Sequence, residues 1–353
     1  MAYTNIDDPS AYFQVATYTG NGTDNTAITY DGNSDMQPDF LWFKLRSTTG
    51  NHVLFDSNRG TSKYVRSNTT AAETTNATLL KSFDSDGFTV GTAGNTNSNG
   101  NTLVSWGWKA NGGTTSTNTD GSINTTVQAN TDAGFSIVGY TCPDPITNFT
   151  IGHGLGVTPD VIIVKTRDGS RNWGVYHKSL TAPAANRNLK LNLTNAEAAE
   201  STFWANTAPT SSVITIAQNA SVNFQGHNYI AYCFAEKQGY SKFGSYVGNG
   251  NANGPFIYTG FKPAFFLLKK TSGADGWRLF DNKRAGYNDD NYRLAPDAAD
   301  AEDTATTYLD ILSNGVKIRG TAGSFNQSGG TFIYMAFAKN PFTTSTGIPT
   351  TAR

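Results

Sequence analysis

Cysteine, charge and long apolar runs are all scarce in this sequence, and each shortage removes a class of protein. Two cysteines in 353 residues, Cys142 and Cys233, cannot build a disulfide framework. They read as buried small hydrophobes, with a single bridge or a reactive thiol as the alternatives. Charged side chains make up 15% of the chain and sum to a formal net of −1. Lys and Arg are dispersed along the sequence, so the basic footprint of a nucleic-acid binder is missing. The longest apolar runs, 161–164 and 265–268, are strand-sized, against the roughly 18–20 residues that cross a bilayer. The opening MAYTNIDDPSAYFQ has neither the basic nor the apolar region of a signal peptide, so no leader is expected. A hydrophobic fraction of 37% argues against a large helical core. What is present instead is Asn, Thr, Ser and 36 glycines, with aromatics at 12%. These are residues of turns and strand faces, and too many are aromatic for a disordered chain. The composition predicts an all-β protein rich in loops.

An internal repeat organises the chain. PDFLWFKLR at 38–46 returns as PDVIIVKTR at 159–167 and as PAFFLLKKT at 263–271. Each copy is a proline, one spacer, four apolar residues and a lysine: Lys44, Lys165 and Lys269. Twelve residues after each lysine a second short strand ends, in HVLFD (52–56), WGVYH (173–177) and WRLFD (277–281). An upstream strand (FQVATYTGNG, FSIVGYTCPD, FGSYVGNG) and a closing aromatic strand (LVSWGWKAN, YIAYCFAEK, FIYMAFAKN) recur as well. The spacing predicts three tandem β-sandwich modules of jelly-roll or lectin-like type at 1–112, 135–239 and 240–342. A polar linker at 113–134 and an extended C-terminal tail at 343–353 complete the chain. The four-residue apolar runs should be covered on both faces, whereas WGVYH alternates and should keep one wet face. The Ala/Glu stretches 71–74, 196–200 and 298–303 read as one short helical turn per module.

Chemistry is thinly represented. The histidines His52, His153, His177 and His227 form no HxH or HExxH pair and no zinc spacing with cysteine. His177 stands where the other copies have Asp56 and Asp281, which favours a structural role. GHGLG at 152–156 precedes a strand, not a helix N-terminus, and so reads as a tight turn rather than a phosphate loop. Asp84-Ser-Asp86-Gly87 imitates the opening of a calcium loop but lacks the acidic residue at position 12. No catalytic residue, metal site or cofactor is assigned, and the protein is read as non-enzymatic. Residues held across the copies, Tyr18/Tyr140/Tyr246, Phe55/Tyr176/Phe280 and Trp108/Phe234/Phe337, are assigned to the core. Function is expected in the divergent connections 57–80, 178–212 and 282–308. There Tyr64, Arg66, Trp204, Tyr287, Tyr292 and Arg293 are the ligand or interface candidates, aromatic and Arg side chains being favoured at interfaces.

YTGNG, PDFLWFK, SFDSDGFTVG, VSWGWKANGG, NTDGSINTTVQANTDAGFSIVGYT and above all HGLGVTPDVIIVK resemble the repeat modules of marine tailed-phage structural proteins. That family is tail-fibre-like, with lectin-like sandwich neighbours. The third copy departs most, having no counterpart of His153 and its glycine turn. The resemblance implies a virion protein, a tail-fibre or spike-type appendage that binds a host-surface glycan or protein receptor. Alternatives are a capsid decoration or head-appendage protein and, third, a glycan depolymerase with paired carboxylates. The implied partners are other virion proteins and the host surface, with no nucleic acid or membrane, in a homo-oligomer.

Overall fold

The computed structural model describes residues 3–285, 287–288, 292–305 and 307–350. Within them the chain is almost wholly antiparallel β-structure, interrupted by the one-turn helices Gly94–Asn97 and Gly323–Asn326 and two 3-10 turns. Each lysine-ended apolar run becomes an inner strand of a sheet. In the first segment the order is Phe13–Thr19, Thr102–Trp108, Phe40–Leu45, Val53–Asp56. The second runs Phe135–Thr141, Asn228–Phe234, Val161–Thr166, Gly174–His177, and the third Ser241–Val247, Thr331–Pro341, Phe261–Lys270, Arg278–Asp281. The same order therefore occurs three times. Behind each lies a smaller sheet, such as Thr26–Ile28, Gly87–Val90, Leu80–Asp84 in the first segment.

Strand alternation divides the apolar runs between two cores. Leu41 and Phe43, Ile162 and Val164, and Phe266 and Leu268 face the smaller sheet of their own segment. Phe40 and Trp42, Val161 and Ile163, and Phe265 and Leu267 turn the other way, into one core shared by all three segments. The runs are thus covered on both faces, as their lack of alternation predicts, but the second cover is supplied by the other segments. Trp108, Phe234 and Phe337, equivalent in the repeat, meet at the middle with ring centroids 6.4, 5.6 and 5.8 Å apart.

The junctions close into a ring. Glu73 N–H donates to Arg167 O at 2.8 Å, Glu197 N–H to Thr271 O at 3.1 Å, and Glu302 N–H to Arg46 O at 2.8 Å, so each segment reaches the next and the third returns to the first. A second ring runs the opposite way. Trp173 Nε1 donates to Arg66 O (2.9 Å) and Trp277 Nε1 to Lys190 O (3.1 Å), while His52 Nε2 lies 3.0 Å from Ala295 O. Because Trp42 Nε1 donates to His52 Nδ1, the proton of this histidine belongs on Nε2, and His52 stands in for the tryptophan of the other copies. The chain start completes the closure: Ile6 enters the shared core, and Asp7 accepts from Ser345 N and Oγ at 2.6 Å.

Four expectations are corrected by this arrangement. The stretches 71–74, 196–200 and 298–303 are extended, as the short strands Thr74–Thr75 and Ala198–Ala199 and the Arg293–Asp303 bridge, because their N–H groups serve the inter-segment ring. Gly174–His177 has no wet face and is buried throughout, since its second face meets the shared core. The polar stretch 113–134 supplies strands Ser116–Asn118 and Thr125–Asn130, which extend the second sheet to six; its Val127 and Gln128 are buried there. Of the tail, residues 343–350 are described and turn back on themselves, with Thr344 N–H donating to Ile348 O at 2.9 Å, and 351–353 lie outside the described residues.

A common core implies common unfolding. Trp108→Ala should cost about 3–5 kcal/mol while calorimetry still shows a single cooperative transition. Three separable transitions in the parent chain would contradict a shared core.

Candidate functional site

The side chains most capable of chemistry are taken up by the fold. His52 and His177 are buried and hydrogen-bonded to backbone carbonyls, His177 Nε2 lying 3.1 Å from Tyr334 O. Burial holds His52 well below the ordinary value of 6.5, lowers His153, and takes His177 to about 4. Gly154 and Gly156 have φ of 70° and 69°, the left-handed conformation that a glycine turn requires, as expected for GHGLG. Cys142 and Cys233 are free and buried, and desolvation pushes both thiols up to about 12. Asp84 accepts from Thr89 Oγ1 at 2.7 Å within its hairpin, and Asp86 accepts from Met36 N at 3.3 Å, tying the hairpin turn to the segment before the first inner strand. Tyr18, Tyr140 and Tyr246 each donate to a backbone carbonyl, of Thr96, Val222 and Phe325, at 2.6–2.7 Å.

Lys44, Lys165 and Lys269 continue the inward face of their strands and are fully buried. Their ammonium groups donate to carbonyls: Lys44 to Leu45 O, Lys165 to Thr70 O and Arg171 O, Lys269 to Lys270 O and Thr194 O. Desolvation brings each down to about 8. Thr70 and Thr194 belong to neighbouring segments, so two of these lysines bond across junctions.

Two junctions also carry a buried ionic network that sequence reasoning missed. Arg59 donates to Asp56 (2.6 Å), Glu73 (3.1 Å) and Leu54 O (3.2 Å), while Arg167 of the second segment grips Glu73 and Tyr232 donates to Asp56. Arg284 repeats this with Asp281 (2.6 Å), Glu302 (2.8 Å) and Leu279 O (3.0 Å), completed by Arg46 and Trp106 Nε1 of the first segment. At the third junction the matching residues are His177, Leu180, Thr271 and Met335. Met335 offers no donor, and there His177 turns to the Tyr334 carbonyl. The recurrence of Asp-x-x-Arg at 56–59 and 281–284, with Leu180 between, was the available signal.

The six predicted interface residues occupy separate parts of the fold. Tyr64 is 5% exposed and Trp204 1%, both within cores, so neither is a surface contact. Each is drawn inward because its connection is packed against the sandwich. Arg66 stacks on the Tyr64 ring, 5.0 Å from its centroid, and donates to its hydroxyl at 2.7 Å. Tyr292 is half-buried with Arg46 5.8 Å from its ring centroid, and Arg293 pairs with Asp303 at 3.0 Å. Tyr287 differs: it is 77% exposed beside a cleft of about 240 Å³ lined by Lys262, Asn282, Ala285, Asn288 and Ile311, with Asp281 also at its wall. The side-chain amide of Asn288, beside Tyr287, exchanges two hydrogen bonds with the Ile311 backbone at 2.8 and 3.0 Å.

Residues 8–341 match a family described as a domain of unknown function, DUF7483. The chain belongs to that family. One DUF7483 unit spans all three segments, in keeping with their common core. No curated protein matches the sequence.

Two predictions concern the DUF7483 fold itself. Arg59→Leu leaves Asp56 buried without its partner and should cost about 3–5 kcal/mol. Combining it with Asp56→His and Tyr232→Met installs three of the four third-junction residues, leaves Arg167 paired with Glu73, and should recover more than half of that loss in urea denaturation. The second is a pH dependence. The buried histidines stay neutral in the fold while the unfolded chain takes up protons near pH 6.5, so stability falls as pH drops from about 6.5 toward the folded value of about 4 for His177. The urea midpoint should decline over that range, less steeply in His177→Gln. A flat profile between pH 4.5 and 6.5 would contradict the assignment.

Proposed function

We propose that the chain is a phage virion component, a tail-fibre or spike-type appendage that binds a host-surface glycan at the Tyr287 cleft. On this reading the three segments are copies of one jelly-roll or lectin-like sandwich, fused and closed into a ring as a rigid base for one divergent loop. The observation that carries it is Tyr287: a large aromatic ring left 77% exposed over a polar cleft, next to an Asn288 held by the Ile311 backbone. An aromatic face flanked by amides suits a sugar, whose C–H face packs on the ring while its hydroxyls meet Asn282 and Lys262. The resemblance to tail-fibre-like repeat proteins supports the same setting.

The capsid-decoration reading draws on a different observation. The ring is closed, with the Asp7–Ser345 contact joining its two ends, and a closed block suits a part seated on a particle surface. Both readings put the same cleft outward. The buried Asp56 and Asp281 and the partly buried Glu73 and Glu302 are held by arginines, which leaves less support for a depolymerase.

An array of bacterial surface polysaccharides probed with the full chain tests the glycan reading. Binding is expected, with Tyr287→Ala weakening it about ten- to a hundredfold, the loss of a central aromatic contact, at unchanged thermal stability. Absence of binding to any saccharide, or binding indifferent to Tyr287, would remove the reading.

A further inference from the structure

The repeat allows the same corner of each sheet to be compared three times within one chain. The residue before the strand proline is Gln37, Thr158 or Lys262. The residue two beyond Asp56, His177 or Asp281 is Asn58, Ser179 or Lys283. The residue two beyond Trp108, Phe234 or Phe337 is Ala110, Glu236 or Lys339. The first corner is uncharged, the second acidic and the third triply basic. Since the framework is built equally well by all three sets, the lysines are not required by it.

The corners also differ in what occupies them. At the first, the Asn58 amide is engaged by the Thr126 and Ile137 carbonyls and by Gln128, so the 116–130 hairpin lies over it. At the second, Glu236 is neutralised by Lys178 and Lys242 at 2.8 and 2.6 Å. At the third, Lys283 pairs with Asp31, whereas Lys262 and Lys339 have no carboxylate partner among the described residues. Asp281, at the base of this corner, gives its carboxylate to Arg284 and Trp106. Asn282 lines the Tyr287 cleft together with Lys262, and it also lines an adjoining depression of about 90 Å³ that holds Lys283 and Lys339. Register shifts at 262–263 and 263–265 break the strand alternation here, and such bulges re-aim side chains. The cations are close enough to feel one another: after burial, the Lys283 and Lys262 charges lower the Lys339 pKa, with Asp31 opposing.

We propose that this corner recognises an acidic saccharide, a uronate or sulfated sugar, with Tyr287 against the ring and Lys262 and Lys339 around its anionic group, Lys283 being held beside them by Asp31. This deepens the glycan reading and rests on it. Lysine ammonium groups act as point charges without the fixed fork of arginine, which suits a carboxylate or sulfate presented at variable angle along a polymer. Contact between exposed charges is screened by salt, so the affinity should depend on ionic strength although the whole chain carries a net charge of only −1.

Titration calorimetry of the full chain with oligogalacturonate, and with neutral cello-oligosaccharide of the same length, tests the proposal. The acidic oligomer should bind at least tenfold more tightly at 20 mM salt, and this preference should shrink about tenfold at 300 mM. Lys262→Gln/Lys339→Gln should remove the preference without altering the melting temperature. Lys63→Gln/Lys109→Gln, which lowers the charge equally on the first segment, should leave it intact. Equal binding of both oligomers would overturn the acidic class while sparing the glycan reading. Equal loss in both double variants would show diffuse polyanion attraction and also overturn it. If neither oligomer binds, and sulfated and neutral polysaccharides on the array are likewise silent, the glycan reading fails and the present inference fails with it.

Discussion

The contact on which the rest of the structure depends is the meeting of Trp108, Phe234 and Phe337 at the centre of three sheets. A four-stranded sheet with apolar residues on both faces cannot stand alone in water, and one small sandwich covers only one face of it. Three such sheets turned toward a common axis cover one another. That solution sets the direction of every inner strand: Phe40 and Trp42 must face the axis and Leu41 and Phe43 the outer sheet, because side chains alternate. It also explains how so polar a chain folds. Pooling three inner faces into one core buries more apolar surface per residue than three separate domains would.

Enclosing the axis creates three junctions, and the chain resolves their polar groups in two ways. At two of them a buried guanidinium is surrounded by two carboxylates, a carbonyl and a donor from the neighbouring segment. At the third, Leu180, Thr271 and Met335 supply no arginine, the Glu197 carboxylate accepts instead from Thr181 N and Oγ1, and the neutral His177 turns to the Tyr334 carbonyl. The residues change together: Asp with Arg and a donor, His with Leu and Met. This agrees with the general balance in which a buried ion pair adds little net stability over a well-packed apolar replacement, whereas breaking it from one side is costly. The backbone rings through Glu73, Glu197 and Glu302 are indifferent to that exchange and persist at all three junctions.

Much of the fold was legible because strand burial leaves a local record. The proline-to-lysine runs, the twelve-residue spacing to Asp56, His177 and Asp281, and the recurrent Tyr18, Tyr140 and Tyr246 all mark real equivalences. What was not legible is which surface covers which. WGVYH reads as half-wet because a sequence shows that one face is apolar, not that another segment lies against the second. The stretches at 71–74, 196–200 and 298–303 read as helical from their Ala and Glu content, but their N–H groups are claimed by carbonyls some seventy to two hundred and fifty residues away in sequence, and tertiary pairing overrides local preference. The same cause misplaced Tyr64 and Trp204. An aromatic residue in a polar connection is equally suited to anchor the connection or to meet a ligand, and only the packing separates the two.

The dispersal of Lys and Arg along the sequence excludes a linear basic motif, yet the fold gathers Lys262, Lys283 and Lys339 from three strand ends into one corner. Such a grouping is invisible to any search along the chain, and it becomes meaningful only against the two equivalent corners. A repeat supplies that control. Positions at which all three copies agree report what the ring needs, and positions at which one copy departs while the backbone stays the same are released from that need. By this reasoning Tyr18 and its equivalents belong to the scaffold, and so does Trp108. Of the lysines at the third corner Lys283 is answered by Asp31 within the fold, whereas Lys262 and Lys339 have no carboxylate partner among the described residues. Like charges at an open surface repel one another and weaken the folded state slightly, so Lys262 in the Tyr287 cleft and Lys339 in the depression adjoining it suit the proposed anionic ligand better than a packing role.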